Sequence, residues 1–332
     1  MTVAEHATAQ RSGDVDLAPA VNALVAAKSV TVLCHVQPDA DTLGSGLALA
    51  LAIDRRGVPV QVAFAEPSTL PTSMRQLPGV EFVVEPEAVA REVDLLVTVD
   101  CGSRGRLGRL GDRLDGARSS LVLDHHRSNT MFGSINVVDP SAESTASVIA
   151  RILDLLGTEI DSDIAHCLYA GLVTDTGSFR WVRPGTHLLA ERLLATGIDG
   201  ALIARRLLDT HPFGWLPMLS KVLGSAVLVP DAAEGRGLVH AVIRRSDREG
   251  LNSEEVESVI DIVRTTAEAE LAAVFKETVT PEVWSVSLRS KNTIDVAALA
   301  TRLGGGGHRY AAGYTAKGPI ADVVAELRSA LG

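Results

Sequence analysis

The sequence predicts an α/β fold: an N-terminal doubly wound, mostly parallel sheet with helices on both faces, then a helical connector and a smaller C-terminal α/β domain. Three observations predict it. Short strand-like runs recur at 30–35 (VTVLCH), 58–64, 94–100 and 119–126, and their centres are apolar on both faces, as strands covered on both sides are. Helical segments lie between them, which is the spacing that parallel strands require. The chain's 332 residues are enough for two domains, each with its own core.

Strand 30–35 is bounded by polar residues, and the stretch 41–57 that follows is an amphipathic helix closed by Gly57. Strands at 58–64, 94–100 and 119–126 come next, with helices over 103–113 and 143–156. The segment 161–176 is a helix ending near Gly177. From 186 to 223 the pattern is helical only, broken at His211–Pro212 and Trp215–Pro217. A second unit follows, with strands at 224–229, 237–244, 270–276 and 283–289, a helix over 295–303, the Gly304–Gly307 run and a helix over 319–331. The expected organisation is a poorly ordered tail (1–18), a first α/β domain (19–188), the connector (189–223) and a smaller α/β domain (224–332).

Composition excludes several classes. The apolar share of 46% rules out wholesale disorder, and the aromatic share of 4% means a core of Val, Leu, Ile and Ala. No apolar run approaches the ~20 residues needed to span a bilayer, so no membrane association is expected. The N-terminus lacks a basic start followed by an apolar block, so no secretory signal is expected either. Cys34, Cys101 and Cys167 lie far apart, which argues against a disulfide framework and against a zinc knuckle; the expected compartment is the cytoplasm. A net charge of −10 disfavours a stable complex with long nucleic acid, which is gripped by many Lys and Arg, yet leaves room for a short nucleotide.

The chemistry-bearing residues sit where strands end. Strand one runs into Cys34–His35 and then Pro38-Asp39-Ala40-Asp41; the 94–99 strand ends at Asp100, and the 121–123 strand at Asp124-His125-His126. In open parallel sheets ligands bind outside the carboxyl ends of the strands. A lone Asp there is commonly a helix N-cap and a lone His a satisfied core residue. Three strands delivering His or Asp to one edge, with Asp175 in VTDTGSF, point instead to a metal centre of His35, Asp39, Asp41, Asp100, His125 and Asp175. Two imidazoles and four carboxylates without a thiol suit two divalent ions, manganese first and magnesium or cobalt as alternatives. Gly44-Ser45-Gly46 hints at a dinucleotide fingerprint, but position 49 is Leu where the third glycine belongs. Cys34 and Cys101 adjoin the ligands yet point away from them, as strand neighbours do, and are expected in the core.

These residues resemble the DHH phosphoesterase family, named for a triplet that stands here at Asp124-His125-His126. Four motifs match in order: HVQPDADTLGS at 35–45, VTVDCGS at 97–103, LDHH at 123–126 and GLVTDTGSF at 171–179. SLRSK at 287–291 and GGGGH at 304–308 resemble the family's associated C-terminal domain. The resemblance implies that His35, Asp39 and Asp100 hold one ion, and Asp41, Asp100, His125 and Asp175 the other, with Asp100 as the bridge. A water between the ions, acidified by them, would then be the nucleophile. Asp124 would hold a histidine in one tautomer, and His126 would steady the phosphoryl oxygens and protonate the leaving oxygen. Arg289, Ser290, Gly305, Gly306, Gly307 and His308 would bind substrate phosphate, the glycines by letting backbone amides come close.

The subgroup it is most similar to acts on nano-RNA, on pAp, and on cyclic-di-AMP or its linear product pApA, and the resemblance also suggests a homodimer. Pyrophosphatases or exopolyphosphatases, and single-strand DNA exonucleases, are the enzymatic rivals. The GGGGH signature and SLRSK favour the short-nucleotide branch over the first, and the acidic balance disfavours the second. A nucleotide sensor with a dead centre would lack a ligand, and none is lacking.

Overall fold

The computed structural model describes residues 15–331. The expected tail lies outside the described residues as far as residue 14. The chain divides into two compact units, Met1–Thr210 and His211–Gly332.

The first unit runs α1 (Ala18–Ala26), β1 (Val30–Leu33), α2 (Ala40–Asp54), β2 (Val60–Ala63) and β3 (Val93–Val99). After a 3-10 segment (Arg104–Asp112) come α3 (Arg113–Gly116), β4 (Ala117–Asp124), β5 (Ile135–Val138), α4 (Thr145–Leu155), α5 (Ser162–Asp175), α6 (Thr186–Leu194) and α7 (Gly200–Leu208). The strands form one sheet in the order β2-β1-β3-β4-β5, every pairing parallel. The order reverses between β1 and β3, and at such a switch point the loops leaving the strands part to open a crevice.

Alternation along the strands explains why both faces are buried. Val30, Val32, Val62, Leu95, Val97 and Val99 pack with α1, α2, α4 and α5, whereas Leu33, Ala63 and Leu96 pack with Leu107 and Leu110 of the 3-10 segment. Each fully buried Val or Leu contributes about 1.5–3 kcal/mol. The helix expected at 103–113 is this 3-10 run instead: Gly108 takes φ +55° inside it and breaks any α-helical register. Strand β5 and helix α1 carry too little periodic signal to have been expected.

In the second unit, α8 (Trp215–Gly224), β6 (Val227–Val229), α9 (Ala232–Gly235), β7 (Leu238–Ile243), α10 (Ser253–Glu257) and α11 (Val259–Val263) come first. They are followed by β8 (Leu271–Glu277), β9 (Val283–Ser290), α12 (Val296–Arg302), β10 (Gly306–His308), β11 (Ala311–Lys317) and α13 (Ile320–Ala330). Its sheet has the order β10-β11-β9-β8-β7-β6, with β7–β8 parallel and the other pairs antiparallel. One face packs on α12 and α13 through Phe275, Trp284, Leu299 and Leu327; the other, along β7 and β8, packs on α8, α10 and α11. Helices α6 and α7 belong to the core of the first unit through Leu193 and Ile203, and α8 to the second through Met218 and Val222. No helix among the described residues is long and apolar enough to cross a membrane.

Candidate metal centre

The crevice between β1 and β3 collects the strand-end residues of the first unit. Asp39 is the N-cap of α2: its Oδ1 accepts from Asp41 N (3.1 Å) and Thr42 N (3.0 Å), which leaves Oδ2 3.5 Å from His35 Nε2. Asp41, on the first turn of the same helix, is fully buried and turned the other way. Its two oxygens accept from the amides that open α4, Thr145 N (2.7 Å) and Ala146 N (2.9 Å). Asp100 follows β3 with φ +56°, a left-handed conformation that Asp tolerates better than most residues. Its N–H still donates to Leu123 O, so the strand pairing holds while the side chain swings into the crevice.

That swing puts Asp100 between the two imidazoles. Oδ2 lies 3.6 Å from His35 Nε2 and Oδ1 3.5 Å from His125 Nε2. His125 Nε2 is also 3.1 Å from Asp175 Oδ2, at the end of α5, and 3.8 Å from Asp41 Oδ2. Two groups of mutually close ligand atoms result, His35–Asp39–Asp100 and Asp41–His125–Asp175, and a third joins Asp100, Asp124 and His126. All six expected metal ligands therefore meet in the first unit.

The donor set fits divalent cations. His35 Nδ1 donates to Val36 O (2.8 Å) and His125 Nδ1 to Ala142 O (3.3 Å), so each ring turns its Nε2 toward carboxylates. A bare Nε2 lone pair facing a carboxylate is repulsive, so a proton or a metal ion belongs between them. Burial opposes charge on His35, but Asp39 and Asp100 outweigh it and push its pKa up to about 10. Burial works likewise against His125, and Asp100 and Asp175 still raise it well above the ordinary histidine value. Asp100 is held well below the usual carboxylate range, burial being outweighed by its hydrogen bonds to His125 and His35. Burial, then the charges of Asp175 and Asp100, push Asp41 well above that range. Carboxylates driven this far apart in so small a space form a set that cations would relieve.

Asp124 is fully buried and fully committed. It accepts from His125 N (2.8 Å), Asn129 Nδ2 (2.5 Å) and His126 Nδ1 (2.7 Å). Its bond to His126 fixes that ring's tautomer and leaves Nε2 at the far end. Cys34 and Cys101 are buried, Cys34 within the main core and Cys101 beside Leu107 and Leu110, and desolvation raises both thiols, Cys101 to about 12. Neither is set up as a thiolate ligand.

Sequence reasoning missed the residues that hold the ligands. Thr145 Oγ1 donates to Asp100 Oδ1 (2.8 Å); Ser144-Thr145 reads as a helix cap, but Ser144 alone caps α4, accepting from Ser147 N (3.1 Å). Asn129 fixes Asp124, and Arg106 comes within 3.1 Å of His35 Nδ1. No spacing rule points to either. Gly44 and Gly171 are the close-approach positions of α2 and α5. A Cβ at Gly44 would lie 2.4 Å from Cys167 O, and one at Gly171 2.5 Å from Asp41 Oδ1. Helix propensity would favour Gly171→Ala by ~0.5–1 kcal/mol, but overpacking costs ~1–3 kcal/mol, so the variant is expected to melt a few degrees lower and to bind less metal. An unchanged melting temperature and metal content would show that Asp41 has room to spare.

The remaining expected residues lie in the second unit. The pairings His308↔Ala311 and Ala311↔Arg289 put His308 and Arg289 on one face of the sheet, roughly 9–10 Å apart across β11. That face is opposite the α12–α13 core. Ser290 is buried, its Oγ donating to Ile294 O (2.6 Å). Gly304–Gly307 is no open loop: Gly306–His308 is strand β10, and a Cβ on Gly305 would lie 2.1 Å from Gly313 O.

Residues 29–172 match the family model for the DHH family, N-terminal domain, and residues 235–332 that for the DHHA1 domain. The chain is 31% identical over 291 residues to a bifunctional oligoribonuclease and PAP phosphatase of Thermus thermophilus, covering 87% of this chain and 84% of that protein. It is 27% identical over 324 residues to a cyclic-di-AMP phosphodiesterase of Listeria monocytogenes, covering 91% of this chain and 47% of that one. Its fold superimposes on an exopolyphosphatase-related protein from Bacteroides fragilis with a TM-score of 0.83 at 22% identity, over 95% of each chain.

Proposed function

The chain belongs to the DHH family of phosphoesterases, and from that premise we propose that it hydrolyses short nucleotides (nano-RNA, pAp, pApA or cyclic-di-AMP) to mononucleotides using two manganese ions. One observation carries the metal reading: Asp100 turns one carboxylate oxygen to each of two imidazole-centred groups. His35, Asp39 and Asp100 would hold one ion, and Asp41, Asp100, His125 and Asp175 the other. When bound, the ions supply Lewis acidity toward the phosphoryl oxygens and the attacking water.

The chain's own groups do the rest. His126, its Nδ1–H held by Asp124, is raised against burial above the ordinary histidine value by Asp124 and Asp100. As the imidazolium it would present Nε2–H to steady a phosphoryl oxygen and pass that proton to the leaving oxygen, ending as the neutral ring. Arg289 and His308, with the amides of Gly306 and Gly307, would hold a substrate phosphate; the Ser290 hydroxyl and the Gly305 amide, expected there too, are taken by Ile294 O and Ala300 O. The relatives' names support the substrate class: oligoribonucleotides and PAP for the Thermus protein, cyclic-di-AMP for the Listeria one. A homodimer in the cytoplasm belongs to the same reading, and the solution mass checks the dimer.

The test is a manganese-supplemented panel of pAp, di- to pentaribonucleotides, pApA, cyclic-di-AMP, pyrophosphate and bis-p-nitrophenyl phosphate. Turnover of short nucleotides well above pyrophosphate is expected; turnover of pyrophosphate alone would replace this reading with the pyrophosphatase one. Arg289→Ala should lower kcat/KM for short nucleotides roughly ten- to a hundredfold, the worth of one charge-assisted hydrogen bond. It should leave the chromogenic diester nearly unchanged. Equal losses on both would remove Arg289 from the specificity role.

A further inference from the structure

We infer that Thr145 is the positioning residue of the metal centre, its hydroxyl setting the plane of the bridging carboxylate. The inference rests on the six-ligand reading and adds a residue to it. Thr145 is fully buried at the start of α4. Its N–H donates to Asp41 Oδ2 (2.7 Å) and its Oγ1 to Asp100 Oδ1 (2.8 Å). One residue thus grips a carboxylate from each of two distant chain segments, one on α2 and one after β3.

The helix itself does not need this hydroxyl. A Ser or Thr early in a helix either caps it or donates back to a carbonyl of the preceding turn. Here Ser144 is the cap, and the Thr145 hydroxyl goes to Asp100 instead. What the bond controls is rotation. Asp100 Oδ1 also lies 3.5 Å from His125 Nε2 and 3.6 Å from His126 Nδ1, so without a fixed donor the carboxylate could turn toward either ring. A neutral O–H donor uses one lone pair of Oδ1. It leaves the others, and all of Oδ2 on the His35 side, for cations. Because α4 is a continuous helix packed in the core through Val148, Ile149 and Ile152, the donor does not move with the ligand loops.

Two substitutions separate the hydroxyl from the packing. Thr145→Val keeps the shape, the methyl and the backbone N–H on Asp41 but removes the O–H; Thr145→Ser keeps the O–H and removes the methyl. Wild-type protein and both variants are stripped with chelator, checked for matched thermal unfolding, and titrated calorimetrically with manganese. Wild type should bind two ions. Thr145→Val should bind ten- to a hundredfold more weakly, as loss of a group that orients a ligand does, and Thr145→Ser close to wild type. Wild-type affinity in Thr145→Val, or a defect in Thr145→Ser greater than in Thr145→Val, would assign Thr145 a packing role and overturn the inference. A wild type that binds no ions would refute the metal reading itself, so the two failures are told apart.

Discussion

Stripping divalent ions with a chelator is expected to abolish hydrolysis of every substrate, with manganese restoring the rate best. His35, Asp39, Asp41, Asp100, His125 and Asp175 meet in one crevice, where four carboxylates are offset by only two imidazoles. Without ions the crowding shows in the titrating groups: burial pushes Asp41 and Asp175 upward, and carboxylate neighbours raise His35 and His125 against burial. A centre in that state offers phosphate oxygens no Lewis acid and presents carboxylates that repel them. Losing metal assistance removes several kcal/mol of transition-state stabilisation, so a fall of roughly a thousandfold or more is expected. Initial rates in chelator, and after back-titration with manganese, magnesium and cobalt, measure it. Undiminished turnover in excess chelator would end the metal account.

Asp100→Ala should have the largest effect of any single substitution, removing both ions, while Asp39→Ala should mainly weaken one. The difference follows from placement. Asp100 is buried, with one oxygen toward His35 and the other toward His125, so its loss opens both groups. Asp39 serves one group only; its side chain is 55% exposed and half its hydrogen-bonding capacity caps α2. Asp39→Ala also forfeits that cap, about 0.5–2 kcal/mol of stability. Asp100→Ala puts an alanine in a left-handed conformation that Asp tolerates better, a cost of roughly 1–2 kcal/mol unless the loop relaxes, and a loss of that size should leave the protein folded. Elemental analysis of the purified variants is expected to count no ions in the first and one in the second. Two ions in Asp100→Ala would remove its bridging role.

The parts of this centre that lay on strand ends were legible in the sequence. Each apolar run stops at the residue that must face the crevice, so His35, Asp100 and the Asp124-His125-His126 triplet announce themselves by position. Helix ends were half legible. Asp39 and Asp41 are both acidic at an N-terminus, and nothing in their spacing tells that Asp39 caps its own helix while Asp41 accepts from the first amides of α4, more than a hundred residues on. Thr145 and Asn129 were hidden for the same reason: their partners are fixed by tertiary packing, and local sequence shows only a cap and a turn. In the second unit, β11 (AAGYTAK) escaped notice because Ala and Gly weaken the alternation that its partner β9 shows clearly. The segment 103–113 looked helical because Leu107 and Leu110 have helical spacing. Both are buried, but Gly108, at φ +55°, puts them there through 3-10 turns rather than α-helical ones.

Anomalous diffraction at the manganese edge, from crystals of the protein grown with manganese, tests the central claim most directly. Two peaks are expected in the first unit, one among His35, Asp39 and Asp100 and one among Asp41, Asp100, His125 and Asp175, with Asp100 touching both. A single peak, or strong peaks only outside these residues, would contradict the two-ion centre.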